Sequence, residues 1–312
     1  MSMPTPRKPW AMTPRELLYP TLLILASALA TFFIVANTGF AGKLAYAAVF
    51  FTLSSLSLFS LKLRTVGRQA AIDSLASSFM LTAALLVFLP VASILFSTLQ
   101  KGLPGLHPSL FTETMFSASY MDPIGNGGLL HAIIGTVYLI FFASIVSTPV
   151  GILAALYIVE VKGRFAGLVR FFVQAMSGIP SIVAGLFIYA IWMINMGNSY
   201  NAVAGAGALA ILMIPTVART SEEVLKLIPS DLREAGLALG ATQWRTVAMI
   251  VIPAARSGLI TAAILGIARV AGETAPLLLT AFGNTAFNAN PVSDSMSALP
   301  LYVFSQRSEE RR

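Results

Sequence analysis

Residues 129–159 read LLHAIIGTVYLIFFASIVSTPVGILAALYIV, a stretch without a single Asp, Glu, Lys or Arg. About 20 consecutive, mainly apolar residues suffice for a helix to cross the hydrocarbon core of a bilayer. A stretch this long and this apolar is more than the core helix of a soluble domain requires. It therefore predicts a helix that spans a membrane.

Six further apolar segments accompany this one along the chain. They lie roughly at residues 17–36, 44–61, 74–99, 171–196, 202–218 and 258–282. Of the 312 residues, 56% are hydrophobic and only 11% are charged, against about 25% charged residues in soluble domains. The sequence therefore predicts an all-α, polytopic membrane helical bundle with seven spans in the lipid bilayer. It excludes a soluble monomer and a disordered chain.

The Cys and His content limits the kinds of site that the chain can form, and the distribution of Lys and Arg predicts its orientation in the membrane. With two His and no Cys, the chain offers no disulfide framework, no thiolate nucleophile and no multi-histidine metal site. Its basic residues do not cluster with aromatic side chains, which argues against nucleic acid as a partner. Fourteen of the twenty Lys and Arg fall on one side of the predicted spans and five on the other. By the positive-inside rule, the N-terminus and the loop at residues 220–257 are predicted to be cytoplasmic.

Residues 1–73 differ in texture from the rest of the chain. They form two simple apolar segments that carry no charge within them, whereas every residue with distinctive chemistry follows Asp73. We interpret residues 1–73 as an accessory pair of transmembrane helices and residues 74–312 as the working membrane domain.

The loop at residues 220–257 carries the signals of a short helix. Pro229 stops the preceding helix, Ser230 suits an N-cap, and Gly240 is a natural terminator. Small and apolar residues recur on one face: Leu232, Ala235, Gly236 and Leu239. A helix of about nine residues is marginal alone in water. It must therefore dock, either on its own membrane domain or on a partner protein, and the residues alone leave both possibilities open.

Two charged residues, Arg269 and Glu273, lie within the last apolar segment. A charge at the centre of a bilayer costs about 2.5–3.5 kcal/mol on insertion scales. Their i, i+4 spacing predicts that both occupy one helical face. Either they form a structural ion pair or they give a polar lining to the path of an anion. Arg219, at the end of the preceding segment, is either part of such a path or a positively charged anchor at the interface.

The residues Ser177-Gly178-Ile179-Pro180-Ser181 interrupt the fifth apolar segment. Gly178 and Pro180 weaken the helix, while Ser177 and Ser181 offer hydroxyl groups. Small residues here could serve close helix packing. A broken helix could instead present polar backbone groups to a substrate.

One spacing in the loop resembles a known family. Glu234-Ala235-Gly236, three residues, Gly240, nine residues, and then the residues IVIP at 250–253 resemble the EAA loop of ABC-importer permeases. In that family the loop is the coupling helix held in a cleft of the ATPase subunit. The resemblance therefore implies that Glu234, Ala235, Gly236 and Gly240 couple to an ATPase. The chain itself has no Gly-x-x-x-x-Gly-Lys-Ser/Thr motif, so we expect it to bind no cofactor, with ATP and Mg used by a partner.

Further strings resemble the A-type permease of phosphate-specific ABC importers. The most distinctive is ARVAGETAPLL at residues 268–278, and SGIPSIVAGL at 177–186 and PTVART at 215–220 accompany it. The resemblance covers about residues 74–306. It implies the type I permease fold of ABC importers in the bacterial inner membrane, here with two extra N-terminal spans. The substrate-path residues that it implies are Arg170, Arg219, Arg269 and Glu273.

The same resemblance implies partners and leaves alternatives. The partners are a second homologous permease, a dimeric ATP-binding subunit and an extracytoplasmic phosphate-binding protein, with inorganic phosphate as the substrate. The family continues with a final apolar span after Leu299-Pro300, which is expected but absent from the residues up to Arg312. One alternative is a permease for another oxyanion such as sulfate or molybdate, against which the 268–278 string argues. Another is an intramembrane enzyme with Glu273 as its acid or base, for which no nucleophile–base pair is found.

Overall fold

The computed structural model describes residues 14–38, 42–116, 118, 122 and 125–309. Within these residues the structure is helical, and its only β-type pairing is an isolated bridge between Phe282 and Met296. Packing divides the chain into two compact units, Met1–Leu103 and Pro104–Arg312.

The described residues of the first unit form three long helices packed in sequence order. They are α1 (Pro14–Asn37), α2 (Lys43–Thr65) and α3 (Arg68–Gly102), the last followed by a 3-10 turn at Leu103–Gly105. Small polar side chains form the seam between α1 and α2, where the hydroxyl oxygens of Ser27 and Ser57 lie 3.3 Å apart. Large apolar side chains such as Phe88 point outward. An exposed apolar surface of this extent suits lipid rather than water.

The described residues of the second unit form ten α-helices. They are α4 (Ser109–Thr112), α5 (Leu130–Leu156), α6 (Ala166–Ser177), α7 (Ser181–Tyr189), α8 (Ala202–Lys226), α9 (Ser230–Ala238), α10 (Gln243–Thr246), α11 (Ile252–Val270), α12 (Ala275–Thr280) and α13 (Leu299–Glu309). Wider π turns extend three of the helical stretches, at Tyr157–Val161, Ala190–Asn195 and Val247–Val251.

Helix α8 is the centre of the second unit. Its N-terminal half is rich in Ala and Gly, and these small residues let α5, α7, α11 and α12 approach closely. A Cβ atom on Gly205 would lie 2.6 Å from Leu139, and one on Gly266 of α11 would lie 2.6 Å from Val217. Asn201 caps the start of α8 by accepting a hydrogen bond from the Ala204 amide at 2.8 Å.

The predicted all-α, polytopic bundle is confirmed. Six helical stretches among the described residues are long and apolar enough to cross a membrane: Leu18–Asn37, Lys43–Thr65, Arg68–Gly105, Leu130–Val161, Ala202–Lys226 and Gln243–Val270. The fifth predicted span, residues 171–196, corresponds to α6 and the stretch Ser181–Asn195 that begins with α7, and this pair bends by 102° at its break. The interruption predicted at residues 177–181 is therefore present, and it separates two helices.

The last predicted span is present but its predicted bounds, residues 258–282, are wrong, and the loop before it is shorter than the predicted residues 220–257. α8 runs on to Lys226, and the next stretch long enough to cross a membrane already starts at Gln243. Pro253 does not break this stretch, because a π turn precedes it and it occupies the first turn of α11. The stretch ends at Val270, where Gly272 and Pro276 together prevent the helix from continuing.

The two units are divided after Leu103, so α3 packs with α1 and α2. The accessory role of residues 1–73 stays a prediction.

Candidate functional site

A cavity of about 300 Å³ lies between α6, α8 and the end of α11. It is lined by Met176, Ser177, Leu212, Pro215, Thr216, Arg219, Thr220 and Arg269. The break after α6 places Ser177 at this wall, since α7 turns away at the 102° bend. Three residues that the sequence singled out in separate segments, Ser177, Arg219 and Arg269, thus border one space.

Arg219 and Arg269 are the two cationic side chains of this cavity. Both are exposed, and within the described part of the chain neither forms an ion pair. Two guanidinium groups that have no ion-pair partner make the cavity attractive to an anion. The planar fork of donors on Arg matches the oxygen atoms of an oxyanion in particular.

Glu273 does not complete this arrangement. The prediction that it shares a helical face with Arg269 is wrong, because α11 ends at Val270 and Glu273 lies in the turn beyond it. Its amide donates to the carbonyl of Val270 at 3.2 Å, and its carboxylate forms no ion pair with Arg269. Glu273 is also not among the residues that line the cavity.

Arg170 has a partner that the sequence did not suggest. Its Nη2 and Nε donate to one carboxylate oxygen of Glu222, at 2.9 and 3.1 Å. The Nζ of Lys226 lies 3.0 Å from the same oxygen. The Glu222 side chain is only 9% exposed. A separate recess of about 490 Å³ brings this group next to Arg219, so Arg170 lies close to the cavity but is already neutralised.

The residues at the break between α6 and α7 differ in whether they line the cavity. The Ser177 hydroxyl donates to the carbonyl of Gln174 at 2.7 Å, which leaves its oxygen free to accept a hydrogen bond. Pro180 precedes α7 in an extended conformation, with ψ of 138°, and Gly178 closes α6. Ser181 is the first residue of α7 and does not line the cavity.

The small residues of α9 are divided between two faces. Gly236 is buried against its own chain: a Cβ there would lie 2.7 Å from Ile250 and 2.9 Å from Thr246. Ala235 and Glu234 are exposed. The prediction of one small-residue face that includes Gly236 is therefore wrong. Of the four residues of that predicted face, Leu232, Ala235 and Leu239 are exposed.

The ends of α9 follow the sequence signals in part. Gly240 terminates the helix with φ of +81°, a left-handed conformation that suits Gly. The amide of Gly240 bonds to the carbonyl of Leu237, and the amide of Ala241 bonds to that of Gly236, as in a Schellman motif. Thr242 caps α10, because its hydroxyl accepts a hydrogen bond from the Arg245 amide at 3.4 Å. Ser230 is not the N-cap but the first helical residue, since α9 begins directly after Pro229.

Arg233, which precedes the Glu234 motif, connects α9 to the rest of the unit. Its Nη2 lies 2.7 Å from Oε1 of Glu160, and its Nε lies 3.0 Å from Oε2. Its Nη1 and Nη2 also donate to the carbonyls of Ile228 and Leu225, at 2.6 and 2.9 Å. The hydrogen bonds to Glu160 raise the pKa of Arg233 above its ordinary value, so this group stays charged.

The region that contains these sites matches a protein family. A family model described as the binding-protein-dependent transport system inner membrane component matches residues 147–305. The chain belongs to this family. Every residue of the cavity and the whole of α9 fall inside the match, which lies entirely within the second unit.

Curated relatives extend the similarity over most of the chain. The phosphate transport system permease protein PstA of Pasteurella multocida is 43% identical over 214 residues, which are 68% of this chain and 74% of the relative. PstA of Haemophilus influenzae is 40% identical over 213 residues, 68% of this chain and 73% of the relative. PstA 1 of Mycobacterium tuberculosis H37Rv is 34% identical over 240 residues, 77% and 78% of the two chains.

Among solved structures, a chain of the MetNI methionine ABC transporter in inward-facing conformations is similar with a TM-score of 0.43 and 25% identity. The match covers 52% of this chain and 81% of that one.

Two buried carboxylates of this permease were not singled out from the sequence, Glu160 and Glu222. Glu160 interrupts the apolar run Ile158-Val159-Glu160-Val161, and that isolated charge is the signal that could have marked it. Glu222 follows Arg219 by about one turn and lies beyond the predicted end of its span at residue 218, whereas the structure continues α8 to Lys226 and buries Glu222. Both carboxylates are neutralised by arginines from distant parts of the sequence.

Proposed function

We propose that this chain is a transmembrane permease subunit of an ATP-driven phosphate importer. We also propose that phosphate passes the cavity bordered by Arg219 and Arg269. The observation that carries the second proposal is that these two arginines share a cavity without a carboxylate, while Arg170 and Arg233 have carboxylate partners. The phosphate transport permeases to which the chain is similar support the choice of substrate.

The groups around the cavity suit a phosphate ion. Each guanidinium can donate two parallel hydrogen bonds to phosphate oxygens, and charge-assisted bonds contribute about 1.5–3 kcal/mol each. Phosphate near neutral pH also carries at least one O–H group, and the Ser177 oxygen can accept from it. The arginines border an open cavity rather than a closed cage, which is consistent with a site that must release its ion as well as attract it.

The energy source and the orientation complete the proposal. ATP and Mg are used by a dimeric ATP-binding subunit that covers the exposed side of α9, where Leu232, Ala235 and Leu239 lie uncovered. That subunit lies in the cytoplasm, as does the N-terminus, in keeping with the bias of basic residues. A second homologous permease supplies the other half of the path, and an extracytoplasmic phosphate-binding protein delivers the ion.

Uptake of radiolabelled phosphate by cells that lack this chain tests the proposal. We expect the chain to restore uptake, and cold arsenate, which also carries O–H groups, to compete better than cold sulfate. Restored sulfate uptake with unchanged phosphate uptake would identify a permease for the other oxyanion. No change in the uptake of either anion would contradict the transport function.

A further inference from the structure

Arg233 of α9 forms more hydrogen bonds to neighbouring helices than are needed to hold a short surface helix in place. Arg233 holds the carboxylate of Glu160, at the end of α5, with both Nη2 and Nε. The same guanidinium donates to the carbonyls of Leu225 and Ile228, at the end of α8. A single side chain of α9 is thus bonded to the ends of two long helices.

A second bond brings a third helix to the same point. Gln243 opens the helical stretch that leads into α11, and its Nε2 donates to the backbone carbonyl of Glu160 at 2.7 Å. Glu160 therefore touches the residues on both sides of the α9 loop. A displacement of α9 would act through Glu160 and its neighbours on α5, α8 and α11 together.

The burial of the Glu160–Arg233 ion pair indicates that it fixes the relative position of the helices it joins rather than adding to the stability of the fold. The Glu160 side chain is 5% exposed and that of Arg233 24%. Desolvation largely offsets the attraction within a buried ion pair, and well-packed apolar residues often stabilise a protein as much. What such a pair supplies is a fixed geometry, because the fork of Arg admits few orientations. The ion pair between Glu223 and Lys226 differs in that Glu223 is 72% exposed, so it fixes little.

We propose that Glu160 and Arg233 are positioning residues that transmit the movement of α9 to the spans α5 and α8. This inference rests on the proposed function, because it takes α9 as the helix that the ATP-binding subunit moves. Neither residue needs to touch phosphate or ATP for this role. Breaking the Glu160–Arg233 pair should leave the subunits assembled and ATP hydrolysis intact. The membrane helices should, however, no longer move when the ATP-binding subunit binds nucleotide.

The test uses the assembled complex and a spin label, since the chain contains no Cys. A Leu153→Cys variant carries the label on α5, where Leu153 is 57% exposed. We expect a non-hydrolysable ATP analogue to change the spectrum of the otherwise unchanged chain. The Glu160→Gln variant should lose that change although the ATP-binding subunit still copurifies. The control Glu223→Gln, which removes the exposed pair, should keep it.

A second variant and a second measurement make the outcome decisive. Arg233→Lys keeps the charge but loses the fork, and should give an intermediate spectral response and about tenfold less phosphate transported per ATP hydrolysed. If Glu160→Gln does not assemble, Arg233→Lys alone decides. A full nucleotide response in these variants, or none in the unchanged chain, would overturn the inference. The spectral readout needs no phosphate, so failure of phosphate uptake alone would count against the proposed function and not against this joint.

Discussion

The cavity side and the α9 side of the second unit use arginine in opposite ways. Near α9, Arg233 is bonded to Glu160, and its charge is neutralised within the protein. At the cavity, Arg219 and Arg269 have no carboxylate partner among the described residues. An arginine with a buried partner fixes a structure, whereas one without a partner leaves its charge available to an ion that arrives and departs.

Arg170 lies between these two cases. The resemblance to known permeases groups it with Arg219 and Arg269, but the structure pairs it with Glu222. The Arg170 side chain is 45% exposed, so it can exchange this partner more easily than Arg233 can. We therefore expect substitutions at Arg170 and Glu222 to affect stability and transport together, and those at Arg219 to affect transport alone.

The largest expected effect is that of Arg219→Met. It removes one of two unpaired donors to the anion, and loss of one preorganised donor to an oxyanion typically costs about a hundredfold. We expect phosphate uptake to fall by that order while the amount of the chain in the membrane is unchanged. Arg256→Met is the matched control, because Arg256 is exposed, forms no ion pair within the described residues and does not line the cavity. Equal losses for both variants would show that the position of the charge does not matter.

A comparison of Ala235→Glu with Gly236→Glu addresses α9. Ala235 is exposed, so its substitution should leave the fold intact and reduce copurification of the ATP-binding subunit about tenfold. Gly236 packs on Ile250 and Thr246, so the same substitution there should lower the thermal unfolding midpoint in detergent. Binding and uptake that survive Ala235→Glu would show that this side of α9 is not the docking face.

The next smaller effect concerns whether Arg269 and Glu273 act as a pair. Because Arg269 and Glu273 form no ion pair and α11 ends between them, the effects of Arg269→Met and Glu273→Leu on phosphate uptake should be additive to within about 0.5 kcal/mol. We expect Arg269→Met to account for most of the loss in the double variant. A large coupling energy between the two substitutions, or normal uptake by the double variant, would show that Arg269 and Glu273 do form the ion pair that their i, i+4 spacing predicts.

The smallest effect is expected for Glu222→Gln. The change leaves Arg170 and Lys226 facing a neutral amide, but both are nearly half exposed and water screens them. A destabilisation of about 1 kcal/mol should lower the thermal midpoint by a few degrees. A drop as large as that of Gly236→Glu would mean that Glu222 is a core residue of the unit.

Several features of the fold could be predicted from the sequence because they depend on local chemistry. The apolar segments, the break at Gly178 and Pro180, and the terminator Gly240 each follow from residue types within a few positions. The predicted bounds of the last span, residues 258–282, leave out Pro253, which lies in the first turn of α11, and include Gly272 and Pro276, which follow its end. A proline is tolerated in the first turn of a helix, as Pro253 is in α11, whereas Gly272 and Pro276 together end the helix.

The sequence by itself determined that this chain is an apolar helical bundle with a particular loop and a set of isolated arginines, since composition and spacing carry that information. Only the tertiary structure decided which arginines are paired. Glu160 with Arg233, and Glu222 with Arg170, are far apart in sequence and meet through the packing of α5, α6, α8 and α9. Spacing along one helix predicts a contact only while that helix continues, and the end of α11 at Val270 removed the one pair that spacing had suggested.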